Sequence, residues 1–63
     1  MGCRITEIRK EKGISQEELS ILSGVSRATI SGLESGRVTV TTTDTLQKIS
    51  KALGETVSEI FFT

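Results

Sequence analysis

The sequence has no histidine and a single cysteine, Cys3, and it also lacks proline, tryptophan and tyrosine. One cysteine excludes a disulfide within the chain, and with no histidine beside it a structural zinc site has too few ligands. No apolar run is long enough to span a bilayer, and the segment 1–12 alternates in charge without the apolar stretch of a signal peptide. We therefore expect a cytoplasmic protein that needs no metal and no cofactor, with Cys3 as a spectator thiol.

The chain is short and electrically balanced. Its 63 residues predict one domain, residues 1–63, with a thin core that buries only about 60% of the unfolded surface. Such a domain depends on good helix packing or on dimerisation for its stability. The 8 basic and 8 acidic residues give a net charge of zero. Because duplex affinity depends largely on Lys and Arg at the phosphates, composition alone does not indicate a nucleic-acid partner.

Glycines and capping residues divide the chain into helices. Four glycines follow helix-like segments, at the position where a residue with positive φ commonly ends a helix; they are Gly13, Gly24, Gly36 and Gly54. Four hydroxyl residues precede such segments as N-caps, and in two cases a glutamate three residues later completes a capping box. These N-caps are Ser15, Ser26, Thr42 and Thr56. The predicted helices cover about 3–12, 16–23, 27–35, 43–53 and 57–61.

The predicted fold class is therefore all-α, with five short helices around one core. The stretch 37–41 is β-branched and alternating, but we interpret it as a loop because one short strand has nothing to pair with. The helical spacing of apolar residues predicts the core. Its expected members are Ile5, Ile8, Leu19, Val25, Ile30, Leu33, Leu46, Ile49, Leu53, Val57, Ile60 and Phe61.

The second and third predicted helices are joined by a turn too short for antiparallel packing. They must cross steeply, and Ser20 provides a small residue at the crossing. Gly24 tolerates positive φ in the turn, and Val25 fills the elbow. Ile30 and Leu33 anchor the third helix from beneath, so its other face projects outward. This is the geometry of a helix-turn-helix unit.

Several spaced motifs resemble the Cro and phage-repressor type of helix-turn-helix domain, the xenobiotic-response-element family. The similarity covers about residues 5–62 and includes Gly13-Ile14-Ser15-Gln16-Glu17-Glu18-Leu19, Gly24-Val25-Ser26-Arg27-Ala28-Thr29-Ile30-Ser31, Leu33-Glu34-Ser35-Gly36-Arg37, Thr45-Leu46 and Ala52-Leu53-Gly54. It implies a lambda-repressor-like fold with the helix-turn-helix at helices 2 and 3. It also implies a transcriptional regulator, expected to be a repressor, that binds a two-fold-symmetric DNA operator as a homodimer.

The resemblance also implies roles for single residues. The expected base-contacting residues are Arg27, Ala28, Ser31 and Gly32. Arg27 is suited to a guanine contact, and its alternatives are a phosphate contact or a solvated side chain. Ala28 either contacts a thymine methyl group or is a small residue with no role in base reading. Gly32 departs from the family, which often has a long polar residue there. Either the backbone approaches the DNA at Gly32 or this position reads nothing.

Phosphate contacts are expected around these residues. The implied set is Gln16, Ser26, Thr29, Arg37, Thr39 and Thr41. Gln16 lies at a helix N-terminus, where free N–H groups favour a phosphate, although it is also an ordinary first-turn residue. Lys10 and Lys12 are further basic candidates. The loop that carries Thr39 and Thr41 is one residue longer than the usual family form and lacks its proline, which weakens the transfer of contacts there.

The acidic Glu34 lies on the helix expected to face DNA. The resemblance implies that it forms a structural ion pair with Arg9, which removes Arg9 from the residues available to phosphate. Loss of one partner would leave the other unpaired.

Four apolar residues are candidates for interfaces between proteins. Phe62 and Val40 are the expected dimer contacts, with Phe62 folded back on its own chain as the alternative. The family usually has polar residues where this chain has Ile21 and Leu22, so this pair is either ordinary surface or a contact for a second protein. An antitoxin or adaptor module is therefore the alternative function. An enzyme is not expected, because so small a chain leaves no room for a substrate cleft.

Overall fold

The computed structural model describes residues 2–62, which form five helices and a pair of very short strands. The helices are α1 (Ile5–Glu11), α2 (Gln16–Ser23), α3 (Arg27–Ser35), α4 (Thr43–Leu53) and α5 (Val57–Ile60), and the strands are β1 (Gly2–Cys3) and β2 (Phe61–Phe62). None of these helices is long and apolar enough to cross a membrane. The segment 37–41 is a loop, as the sequence predicted.

The helix starts follow the predicted capping residues. Ser15, Ser26, Thr42 and Thr56 each accept a hydrogen bond from the backbone N–H three residues later. Both predicted capping boxes are closed by the glutamate side chain. These bonds satisfy backbone donors that have no partner inside the helix, which is why the sequence places these boundaries well.

The two strands are the element that the sequence did not predict. They pair antiparallel, with Gly2 opposite Phe62 and Cys3 opposite Phe61. The predicted first helix, at about 3–12, is therefore too long at its N-terminus, because Cys3 belongs to β1 and α1 begins at Ile5. The backbone N–H of Arg4 donates to Ile60 O at 2.7 Å and extends the pairing. Two residues per strand leave too little pattern for sequence reasoning to detect.

The alternation of β2 sends its two phenylalanines in opposite directions. Phe61 enters the core, whereas Phe62 remains 52% exposed. The Phe62 ring lies over Gly2, where an added Cβ would stand 2.9 Å from the ring Cζ. Phe62 is thus partly folded back on its own chain and partly open.

The core agrees closely with the prediction. The buried apolar side chains are Ile5, Ile8, Leu19, Val25, Ile30, Leu33, Ile49, Leu53, Ile60 and Phe61. Leu46 and Val57, the other two predicted members, are partly buried against this cluster. Every helix contributes to one core, so α3 is fixed from beneath while its far side stays free.

Candidate nucleic-acid interface

The turn between α2 and α3 is fixed by a few local bonds. Gly24 ends α2 with φ of 75°, a left-handed conformation that favours glycine. The Ser20 hydroxyl donates to the carbonyl of Val25 at 2.7 Å, and the N–H of Val25 donates to Ser23 Oγ at 3.1 Å. Val25 is buried at the elbow. These contacts fix the start of α3 relative to the end of α2.

The N-terminal half of α3 offers an open polar face. Ile30 is fully buried, whereas Arg27 and Ala28 are exposed and Ser31 is half-buried. Within residues 2–62, no salt bridge engages Arg27. Its five N–H donors are therefore available to a ligand such as a guanine edge or a phosphate.

The start of α3 also carries two hydroxyls. Ser26 Oγ accepts from the N–H of Thr29 at 3.2 Å, and the two hydroxyl oxygens lie 2.8 Å apart. Ser26 is exposed and Thr29 is half-buried. This pair lies at the positive end of the helix dipole, where an anion is favoured.

A polar cluster beneath the interface joins the first three helices. Glu34 on α3 is 6% exposed and lies 3.1 Å from the guanidinium Nη2 of Arg9 on α1, which is 14% exposed. Arg9 Nη2 and Nε both lie near Glu34 Oε1, and Nε donates to it at 3.3 Å. Arg9 Nη1 donates to the carbonyl of Ile14 at 3.0 Å. Arg9 is thereby engaged on several sides by its own protein.

Two further side chains complete this cluster. Thr6 Oγ1 donates to Glu34 Oε1 and Gln16 Nε2 donates to Glu34 Oε2, each at 2.5 Å. Thr6 escaped the sequence reasoning, although its position three residues before Arg9 places both on one side of α1. Gln16 was expected at a phosphate. One hydrogen of its amide is instead directed to Glu34, which leaves the second hydrogen and the backbone N–H for a phosphate.

Gly32 is buried by its own chain. It was expected among the base-contacting residues, but the structure buries it under Val38. A Cβ at Gly32 would overlap Val38 Cγ2 and lie 3.3 Å from Val38 Cβ. The glycine is therefore explained by close packing within the chain, which sequence reasoning missed because nothing local links positions 32 and 38.

The loop after α3 carries the remaining candidates for DNA contact. Arg37, Thr39 and Val40 are exposed, and Thr41 is half-buried. Arg37 forms no salt bridge within residues 2–62. The loop thus places one more available guanidinium at the C-terminal end of α3, while Lys10 and Lys12 are exposed near the end of α1.

The remaining apolar candidates lie on α2 and at the paired strands. Ile21 is 75% exposed and Leu22 is 62% exposed, both near the end of α2. Leu22 borders a shallow groove together with Ser23, Lys48, Lys51 and Ala52. Phe62, half open beside Gly2, lies at the paired strands.

Residues 5–60 match the helix-turn-helix family. The chain belongs to this family. It is 40% identical over 60 residues to the HTH-type transcriptional regulator PuuR of Escherichia coli (strain K12), a match that covers 95% of the chain and 32% of PuuR. The chain therefore spans about a third of the length of that relative. It is 45% identical over 62 residues to an uncharacterized HTH-type transcriptional regulator of Methanothermobacter thermautotrophicus, covering 97% of the chain and 88% of the relative.

A solved structure agrees with this assignment. The restriction-modification controller protein C.AhdI from Aeromonas hydrophila superimposes with a TM-score of 0.83 at 38% identity, covering 92% of this chain and 86% of that one. The predicted all-α class and the resemblance to the Cro and phage-repressor type are thereby confirmed. The residue-level contacts remain predictions.

Proposed function

We propose that this chain is a sequence-specific, double-stranded DNA-binding transcriptional repressor that recognises a two-fold-symmetric operator as a homodimer. The observation that carries the proposal is the exposed face of Arg27 and Ala28, presented by a helix that Ile30 and Leu33 anchor in the core. A helix presented in this way fits the major groove, with its first residues toward the base edges.

Arg27 is the main base-reading side chain. Its planar fork matches the O6 and N7 acceptors of guanine, and no acidic side chain within residues 2–62 competes for it through a salt bridge. Ala28, the next residue, contacts a thymine methyl group. Ser31 forms a weaker hydrogen bond to a base edge. Gly32 makes no base contact in this proposal, because Val38 covers it.

Phosphate contacts frame this face. Ser26 and Thr29 hold one phosphate at the start of α3, and the N-terminus of α2 at Gln16 holds another. Thr39 and Thr41 in the following loop are lesser candidates. The Glu34 cluster supports these contacts because it ties Gln16 to α1 and α3.

A homodimer is supported by the small number of base pairs that one copy of the chain can contact. A single α3 reads few base pairs, so two copies one helical turn apart are needed for a selective site. Phe62 and Val40 are the proposed interface residues, since both are large, apolar and exposed.

Selection of bound sequences from random duplex DNA tests the proposal. We expect a two-fold-symmetric site whose affinity falls steeply with salt and is lost in Arg27→Ala. Arg27→Lys is the matched control, since it keeps the charge and removes the fork. Unchanged affinity and salt slope in Arg27→Ala would show that α3 does not read the DNA as proposed.

A second candidate function is an adaptor or antitoxin module that acts through Ile21 and Leu22. The exposure of this pair is the observation that favours it. An Ile21→Ser, Leu22→Ser double variant separates the two functions. The DNA-binding proposal predicts that this variant binds the operator with unchanged affinity. The adaptor proposal predicts that the wild type shows no salt-dependent duplex binding and that the variant loses its protein partner.

A further inference from the structure

The C-terminal end of α3 is held to the loop that follows it by two independent contacts. The backbone N–H of Val38 donates to Gly32 O at 3.0 Å. The Val38 side chain occupies the space in which a Cβ of residue 32 would stand. Backbone and side chain together fix the start of the loop against the helix.

This arrangement determines where Arg37 lies. The guanidinium Nη2 of Arg37 is 3.8 Å from the position of the missing Gly32 Cβ. Residues four apart share a helix face, so Gly32 lies one turn below the exposed Ala28. The Arg37 guanidinium therefore lies beside the same strip of α3 that carries Ala28.

The charge environment leaves this guanidinium available. Arg9 is enclosed by Glu34 and Ile14, but among the described residues no salt bridge reaches Arg37. Arg37 is also exposed. A planar fork next to a base-reading face matches the paired acceptors of guanine better than a point charge would.

We propose that Arg37 is a second base-reading residue, which supplies from the loop the contact that position 32 of the helix lacks. Gly32 and Val38 are positioning residues that hold it there. The proposal rests on the proposed function and changes the expected role of Arg37 from a phosphate contact to a specificity contact.

The test uses the full chain and a duplex selected from a random-sequence library, with each base pair replaced in turn. Arg37→Lys keeps the positive charge but loses the fork. At one G·C pair in each half-site, we expect the ratio of affinities for the selected duplex and the replaced duplex to fall by about 5- to 150-fold. The other base pairs should keep their discrimination, and the salt dependence should stay close to that of the wild type.

Val38→Ala tests the positioning role without altering a charge. It should lose part of the same discrimination at the same base pair. Val57→Ala, which shortens a partly buried valine of α5 outside the proposed interface, should not. Circular dichroism and thermal melting are used to check that each variant is folded. Loss at a different base pair in Val38→Ala would overturn the positioning role.

The outcomes separate the two proposals. A wild-type chain that binds no duplex overturns the proposed function itself. If the wild type binds, equal discrimination in Arg37→Ala and wild type at every base pair overturns the base-reading role of Arg37. Uniform weakening of all duplexes in Arg37→Ala, with a salt slope lower by about one, identifies a phosphate contact instead.

Discussion

The two ends of α3 are built in different ways. At its N-terminal end, the cap formed by Ser26 and Thr29 involves residues three apart in the chain. At its C-terminal end, Gly32 and Val38 meet across the end of the helix, and Glu34 joins residues of α1 and α2. Local bonds thus present the first base-reading residues, and contacts between separate elements fix the rest of the interface.

The largest expected effect comes from breaking the contacts between elements at Glu34. Glu34→Gln leaves the guanidinium of Arg9 nearly enclosed without its charged partner. We expect a loss of about 3 kcal/mol in the free energy of unfolding, measured by urea denaturation. The double variant Arg9→Met, Glu34→Leu should recover much of this loss, because no unpaired charge remains. A loss below about 1 kcal/mol in the single variant would contradict a structural role for the pair.

The next effect concerns the contact between Gly32 and Val38. Gly32→Ala gains about 1 kcal/mol in helix propensity, but its Cβ overlaps Val38 Cγ2, and overpacking costs about 1–3 kcal/mol. We therefore expect a net loss of about 1 kcal/mol in the free energy of unfolding. Adding Val38→Ala to Gly32→Ala relieves the overlap and should restore stability relative to Gly32→Ala alone. If Gly32→Ala is more stable than the wild type, Val38 moves aside freely and does not fix the loop.

The same division explains how much could be predicted from the sequence. The N-terminal ends of helices with hydroxyl caps were predicted within about one residue. The capping residue and the backbone N–H that it binds lie within four positions of each other, so the sequence contains both. Ile30 and Leu33 were placed in the core by helical spacing alone. The β1–β2 pair was not predicted, because its pairing joins the two ends of the chain.

The candidate site shows the same limit. Arg27 and Ala28 were placed on the outer face correctly, since both follow directly from the cap at Ser26. The burial of Gly32 and the hydrogen bond from Gln16 to Glu34 depend on residues that meet only in the folded chain. Helix periodicity carries no information about such contacts.

The cap at Ser26 provides a test of the local contacts at the N-terminal end of α3. Ser26→Ala removes the cap of α3 and should lower the free energy of unfolding by about 1 kcal/mol. Thr42→Ala removes an equivalent cap from α4 and is the matched control. Both should lose similar stability, but only Ser26→Ala should weaken binding to the selected duplex. Equal duplex binding in the two variants would mean that the start of α3 does not contact the DNA.

The smallest expected effect is the pH dependence of the capping box at α5. The hydroxyl of Thr56, at 2.9 Å, and its backbone N–H donate to Glu59 Oε1. The side-chain bond from Thr56 is the main cause that lowers the pKa of Glu59 below its ordinary value. Because the folded state favours the charged carboxylate more than the unfolded chain does, this contribution to stability is present at neutral pH. It is lost as the pH falls through the lowered pKa.

Thr56→Ala tests this local device by an NMR titration of Glu59. We expect the pKa of Glu59 to rise toward its ordinary value, since the hydroxyl donor is gone while the backbone donor remains. The acid limb of the stability profile should become slightly less steep. Ser58→Ala is the matched control, because Ser58 lies 3.2 Å from Thr56 Oγ1 without belonging to the capping box. An unchanged Glu59 titration in Thr56→Ala would show that the Thr56 hydroxyl does not hold the Glu59 carboxylate in solution.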